Sequence, residues 1–450
     1  MKFNKKQLNR KLLKIAAPIA IQGIVSATLS MVDNIMVGFL GETELAAVGV
    51  GSQLFMVHYL VLFGILSGSA TFMAQFYGTK DMPNIRKVIG FDFTLLAAFG
   101  AVVFILVNFF TEGILSLYTE DPAVKALAMQ YVKINSLSFL LLAVSAPLEM
   151  AFKATQQVKI PMMISYVIFF TNIAINYVLI FGKFGFPKMG VAGAAIGTVS
   201  SRIIEVIMNS FFAFRERNEF CGRVRSYFGW DRELIKRIIK NATPTTINEF
   251  FWSFGQTMFV AAFSRIGTTA YAAYQAANSI FNIFNFAAFS IGDAALILIG
   301  EKLGEGDMEY TWKLSKHLIK ASLLAGVVIG AITVILSGSL SGIFNLTDTG
   351  KMYTRYILIV FGATMAADLF NGLQVAGILR AGGDTKFAMI SESMCIWLIA
   401  VPLAFTAALV WHLPIHLALL VTRAEMLIRA AILTRRYLSR KWMNTVITNL

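Results

Sequence analysis

A single carboxylate, Asp33, interrupts an otherwise uncharged apolar run from Ile15 to Leu40, in the string MVDNIMVGFLGETELAAVG. A run of that length crosses a hydrocarbon core, where an ionised group is costly and rarely incidental. Asp33 therefore reads as a cation site. Other polar residues recur at helical spacing inside apolar segments: Gln22, Ser26 and Ser30 ahead of Asp33; Thr245, Glu249, Ser253 and Gln256; Gln275, Asn278, Asn282, Asn285 and Asp293; Thr364, Asp368, Asn371 and Gln374. Lipid offers such groups no partner, so each stripe faces protein or water. Interhelical hydrogen bonding is the usual fate of a lone Asn or Ser. Whole stripes ending in carboxylates favour the lining of a water-filled cavity. A carboxylate there takes a proton or metal cation, or pairs with a cationic ligand. Phe250, Phe251, Phe254, Phe281, Phe284 and Phe289, with Trp252, would suit flat organic cations, although each is equally serviceable as packing. The expected substrate cavity thus includes Gln22, Ser30, Glu249, Trp252, Gln256, Asn278, Asn282, Asp293, Asp368 and Asn371.

The elements that must position these residues are membrane helices. With 57% hydrophobic and 14% charged residues over 450 positions and a mean hydropathy of +0.68, the chain is too apolar for a soluble domain. Hydropathy predicts twelve helical spans, approximately 12–38, 48–77, 88–111, 131–153, 160–182, 191–214, 238–264, 273–300, 317–343, 355–379, 387–411 and 414–434. The net charge of +14 reflects topology rather than nucleic-acid binding, because the basic residues punctuate apolar spans. Most of them fall on the side of both termini, which predicts cytoplasmic termini in the cell membrane. Two cysteines, Cys221 in a loop and Cys395 in a span, are too few for a disulfide framework or zinc site. The amino-terminal MKFNKKQLNRKLLK resembles the start of a signal peptide, yet the apolar stretch after it is too long and carries Gln22 and Asp33. It is expected to be the first helix.

An internal repeat divides the chain. In one ungapped register Pro18 lies over Pro244, Gly41 over Gly267, Phe55 over Phe281, and Gly78, Asp81 and Met82 over Gly304, Asp307 and Met308. A one-residue insertion then places Lys153, Ala154, Lys159 and Met162 over Arg380, Ala381, Lys386 and Met389. The basic connection from Arg215 to Lys240 reads as the linker between a six-helix lobe at 1–225 and another at 226–450. Six spans per half is an even number, so the halves point the same way and are expected to relate by a pseudo-two-fold along the membrane normal, with a central cavity. In this register Asp33 lies over Phe259, so cation coupling is expected to centre on the amino-terminal lobe, with the acids of the other lobe left to the substrate.

The strings VDNIMVGFLGETELAAVGVGSQLF, FGFPKMGVAGAAIGTVSSR and LRAGGDTKFAM, with the weaker counterpart FKATQQVKIPM, resemble the multidrug and toxic compound extrusion (MATE) family. The resemblance implies a twelve-helix secondary antiporter that exports cationic, amphipathic drugs and toxic organic compounds in exchange for Na+ or H+, with no other cofactor. It places the family's coupling acid on Asp33 and its polar cation-site positions on Asn172, Asn176 and Thr198. The residues agree: Asn172 and Asn176 are one turn apart, and two amide oxygens, a hydroxyl and a carboxylate make a hard-oxygen cage that could hold Na+ at Asp33. Where some members have an Asp, this chain has Asn176. The helix 7 glutamate of the NorM-like branch aligns with Trp252, one turn from Glu249, and its helix 10 acid with Asn371, one turn from Asp368.

Competing readings have distinct requirements. A flippase for a lipid-linked saccharide needs a broadly basic cavity to meet pyrophosphate, and an enzyme needs a nucleophile, metal or phosphate loop. No HExxH, His/Cys cluster or Gly-rich phosphate loop occurs in the sequence, and the repeat favours alternating access over a channel. The expected partners are small organic cations and membrane lipid, with no nucleic acid and a functional monomer. Arg202 with Glu205 and Glu425 with Arg429 are spaced to pair structurally. Glu149, Lys153 and Glu392 are expected to snorkel at an interface, and His58 to be a satisfied packing residue. Pro18, Pro147, Pro244 and Pro402 should kink their spans.

Overall fold

The computed structural model describes residues 5–215, 218–344 and 346–448, without the side chains of 286–288. Among the described residues it is helical throughout, with no strand. Helices α1 (Lys5–Gly38), α2 (Glu42–Gly78) and α3 (Met82–Phe109) are followed by a short α4 (Thr111–Ser116) and then by α5 (Pro122–Asn135) and α6 (Leu137–Ala154). Next come α7 (Lys159–Phe181) and α8 (Val191–Ala213). The second half holds α9 (Arg232–Phe263), α10 (Thr268–Gly304), α11 (Met308–Ser341) and α12 (Asp348–Gly372), the last running on as a π-helix to Leu379. It closes with α13 (Thr385–Cys395), α14 (Val401–Phe405), α15 (Ile415–Arg423) and α16 (Glu425–Leu438).

All twelve expected spans fall on helices. Ten stretches among the described residues are long and apolar enough to cross a membrane. The span expected at 131–153 is broken at Ser136, between α5 and α6. The two expected spans outside the ten are the most polar: α9, with Thr245, Glu249, Ser253 and Gln256, and α15 with α16, which bring Arg423, Glu425 and Arg429. Pro18, Pro147 and Pro244 lie inside α1, α6 and α9. Around Pro402 the helix widens into π-turns at Ile396–Ala400 and Thr406–Val410. A proline has no N–H to return to the preceding turn, and a wider turn absorbs that defect.

The chain packs as two units, Ile21–Lys236, and Arg237–Leu450 together with Met1–Ala20. The division thus lies further along the linker than 225/226, and it also cuts α1 two residues past Pro18. Within the second unit the start of α1 is tied to neighbouring helices by Lys11 to Glu301 at 2.7 Å and by Asn9 to His317 at 2.5 Å.

Each unit reproduces the backbone devices of the other in the register read from sequence. Gly41 and Gly267 cap α2 and α10 with φ of 152° and 147°, a conformation essentially confined to glycine. Asp81 and Asp307 are N-caps whose carboxylates accept from the backbone N–H of Asn84 and Tyr310 at 3.1 and 3.0 Å. Lys80 and Gly306, at matching positions, are left-handed at φ 59° and 78°, as are Gln156 and Gly383 at 62° and 71°.

In both units the segment after the sixth span folds back and docks. After α8, the Tyr227 hydroxyl donates to Phe220 O at 2.8 Å, and Arg86 Nε donates to the same carbonyl at 3.1 Å. Burial pushes the Tyr227 phenol up to about 12, which keeps it a donor. After α16, Trp442 is fully buried, and Arg237 Nη1 donates to Thr448 O at 2.6 Å. Both segments pass so close that glycine is required beneath them: a Cβ on Gly90 would lie 1.8 Å from Tyr227 O, and one on Gly382 would lie 1.6 Å from Trp442 O. Gly90→Ala and Gly382→Ala should each cost about 1–3 kcal/mol through overpacking. Gly113→Ala, where a new Cβ meets nothing within 4 Å, should be near neutral. Thermal unfolding of the purified variants in detergent measures all three, and equal midpoints would contradict the docking.

Candidate functional site

Within the amino-terminal unit, α1, α7 and α8 bring Asp33, Asn172, Asn176 and Thr198 toward one place. Asn176 Nδ2 donates to Asp33 Oδ1 at 2.8 Å and also to Asn172 Oδ1 at 2.8 Å. The two asparagines are one turn apart on α7 and only 2% and 1% exposed, so one amide ties the buried pair to the half-buried acid. Their burial is possible because α8 comes in close. A Cβ on Gly193 would stand 2.7 Å from the Leu179 carbonyl carbon, and one on Gly197 would stand 1.9 Å from Asn176 Oδ1. The Gly-x-x-x-Gly spacing of α8 is the familiar device for close helix approach in a membrane.

Thr198 lies one residue beyond Gly197 and donates to Ala194 O at 3.1 Å. Its hydroxyl and that of Ser52 are within hydrogen-bonding reach of the Tyr131 phenol, which the Asp33 charge also reaches. Asn135 Nδ2 donates to that phenol at 3.3 Å. Tyr131, Asn135 and Ser52 therefore border the site, and none was singled out from the sequence. A Tyr and an Asn four apart on α5 were the available signal, masked by placing 131 at the start of a span. Arg202 lies within electrostatic reach of Asp33, but its direct partner is Glu205 at 2.5 Å.

The donor set suits a hard monovalent cation: carboxylate, amide oxygens, hydroxyl and phenol. Among the described residues there is no cluster of three His, Cys, Asp or Glu side chains for a more demanding metal. One feature bears directly on fit. Asn176 turns its N–H2 toward Asp33 and Asn172, while its Oδ1 is buried with no hydrogen-bond partner. The amide nitrogen thus satisfies the same two oxygens a cation would seek. Turning the amide over would aim a third oxygen at the acid instead.

The other expected cavity residues are placed as follows. Gln22 Nε2 donates to Glu149 Oε1 at 2.9 Å, and Ser30 bonds to its own helix at Ser26 O, 3.3 Å away. In the carboxy-terminal unit Glu249 pairs with Arg380 at 2.7 Å, and Asp368 with Arg423 at 2.5 Å. Arg423 also stacks over Phe361 and Phe281, 4.6 and 5.2 Å from the ring centroids. Asp368 borders a small cleft with Asn285, Phe289, Gly292, Ser322 and Gly372. Asn371 is buried and donates to Met426 O at 3.0 Å. Trp252 and Asn278 are half-buried, and Gln256, Asn282 and Asp293 are exposed. His58 is buried between Phe99 and Phe139, but neither ring nitrogen has a hydrogen-bond partner. It is a packing residue without the satisfaction expected of one.

Polar constellations buried inside a repeated bundle of apolar helices define a multi-pass membrane transport protein. The MatE family model matches residues 18–178 and 244–406, once in each repeat. The chain belongs to the MatE family. It is 26% identical over 447 residues to the probable multidrug resistance protein NorM of Thermotoga maritima, covering 97% of this chain and 93% of the relative. It is 25% identical over 411 residues to the probable multidrug resistance protein YoeA of Bacillus subtilis, covering 90% and 88%. Among solved structures, a MATE protein in complex with MaL6 superposes with a TM-score of 0.88 at 17% identity, over 96% of this chain and 97% of that one. The outward-facing conformation of a multidrug resistance MATE family transporter gives 0.87 at 16%, over 96% and 97%. The relatives are named as multidrug resistance proteins and the solved structures as MATE proteins, not as enzymes.

If Gly197 serves chiefly to seat Asn176, Gly197→Ala should lower efflux of a fluorescent dye about tenfold. In an Asn176→Ala background the same change should then add little. A double-mutant cycle measured by efflux from cells tests this, and fully additive losses would contradict the coupling.

Proposed function

We propose that this protein is a cation-coupled antiporter that exports small cationic, amphipathic compounds by alternating access, with Asp33 as the group that binds the coupling Na+ or H+. The observation that carries the reading is the Asp33–Asn176–Asn172 arrangement, a carboxylate at membrane depth tied at 2.8 Å to a buried amide pair. Asp33 has two ways to be satisfied in this setting. Without a coupling cation, the Asn176 amide donates to it. A proton removes the charge that holds the amide, and Na+ competes for the same oxygens and favours the turned-over amide. Either event changes what joins α1 to α7, and α1 is the helix whose first half packs in the other unit. Differential interaction of this kind is what an ion needs in order to bias one conformation over another.

The family membership and the names of the relatives support export of multiple compounds, and the basic termini support a cytoplasmic location for both ends of the chain. Cationic substrates would be met by aromatic residues rather than by bare Glu249 or Asp368, since an arginine holds each of those. The same pairing speaks against a saccharide-lipid flippase, because Arg380, Arg423 and Arg429 are each engaged by an acid.

Asp33→Asn should abolish drug efflux in proteoliposomes driven by either an imposed Na+ or an imposed H+ gradient, with the protein still monodisperse on gel filtration. Unimpaired transport would defeat the assignment. Imposing the two gradients separately on the wild-type protein identifies the coupling ion.

A further inference from the structure

In the carboxy-terminal unit, four side chains from α9, α13 and α16 form a continuous chain. Asn248 Nδ2 donates to Glu392 Oε2 at 2.8 Å, Arg429 Nη1 to Glu392 Oε1 at 2.7 Å, and Arg429 Nη2 to Glu425 Oε1 at 2.9 Å. Asn248, Glu425 and Arg429 are 3%, 4% and 6% exposed, and the Glu392 side chain is 13% exposed. Glu392 is therefore inside the bundle and not snorkelling at an interface.

The charges do not balance. Two carboxylates face one guanidinium. Glu249 and Asp368 are each matched by their own arginine, Arg380 and Arg423. The neighbouring Cys395 is a free thiol. A buried uncompensated charge is strongly unfavourable, so one more positive charge is called for. Two oxygens of the cluster have no hydrogen-bond donor, Glu425 Oε2 and Asn248 Oδ1. The third unpartnered atom, Arg429 Nε, is a donor and does not belong with them.

The matching positions of the other unit are informative. Continuing the repeat register, Gln22 corresponds to Asn248, Lys153 to Arg380, Arg202 to Arg429 and Thr198 to Glu425. There, Gln22 also donates to an acid, Glu149, but Glu149 pairs with Lys153 at 2.7 Å and Glu205 with Arg202 at 2.5 Å. There two acids are matched by two bases, and the acid left over, Asp33, accepts from the Asn176 amide. The carboxy-terminal copy keeps the framework and carries its extra acid elsewhere, at the position whose counterpart, Thr198, borders the first site.

We propose that Asn248, Glu392 and Glu425, held by Arg429, form a second monovalent-cation site in the carboxy-terminal unit that takes H+ or Na+. This site uses neither Glu249 nor Asp368, and it does not depend on the role assigned to Asp33. The full-length protein in detergent with Asp33→Asn, which silences the first site, provides the test. Equilibrium binding of radioactive Na+ reads the sodium arm. Infrared spectroscopy of the protonated carboxyl C=O stretch at neutral pH, with hydrogen–deuterium exchange, reads the proton arm. One arm should report about one cation per chain in Asp33→Asn, and adding Glu425→Gln should remove it. Glu425→Gln retains an oxygen for Arg429 Nη2, and gel filtration verifies that it folds. Asn248→Ala should weaken retained Na+ at least tenfold, or shift the carboxyl band. No cation in either arm for Asp33→Asn, or a cation that survives Glu425→Gln, overturns the proposal.

Discussion

The constraint on which the rest of this structure depends is that a charge inside an apolar bundle has to be compensated nearby. Truncating one partner of a buried ion pair typically costs about 3–5 kcal/mol, because the other charge is left stranded. The least apolar spans, α9 and the α15–α16 pair, meet this constraint in part: Glu249 pairs with Arg380 and Asp368 with Arg423, while Glu392 and Glu425 share the single Arg429. Their helices add these ion pairs to apolar packing, with Phe263 of α9 and Ile415 and Leu419 of α15 in the buried core. Like the fully buried Asp92, which accepts from Ser69 Oγ at 2.6 Å, Asp33 is held by a neutral group. Its direct hydrogen-bond partner is a neutral amide, which a cation can replace.

Much of this was legible in the sequence because it is local or periodic. The spans follow from hydropathy, and the pairs Arg202–Glu205 and Glu425–Arg429 from helical spacing. The repeat register paired Gly41 with Gly267 and Asp81 with Asp307, and the structure shows that both pairs cap corresponding helices, the φ angles of the glycines agreeing within a few degrees. Asn172 and Asn176 were found by combining a one-turn spacing with family resemblance, and they do converge on Asp33.

The features that escaped depend on contacts between distant parts of the chain. Glu249 and Arg380 are 131 residues apart, and no spacing rule links them. A polar stripe on α9 reads the same whether its acid faces a cavity or an arginine. Glu392 reads as an interfacial side chain because it falls near the end of a span; its partners come from α9 and α16. Tyr131 was missed because a tyrosine near a predicted helix end is unremarkable until Thr198 and Asp33 are brought beside it. Apolar residues report their burial through periodicity alone. Polar residues do not, since their role is set by the partner.

The repeat separates two kinds of constraint. Backbone devices such as the Gly41 and Gly267 turns, the Asp81 and Asp307 caps and the left-handed Gln156 and Gly383 are conserved between the units. They fix the path of the chain, and any departure costs stability whatever the protein does. Charges obey a looser rule, compensation within each unit, which many arrangements satisfy. Asp33 is matched by Phe259, which stacks on Phe263 in the core, and Thr198 is matched by Glu425. A duplicated scaffold is thereby free to carry different chemistry in its two copies, with an acid on the first helix of one and on the last helix of the other.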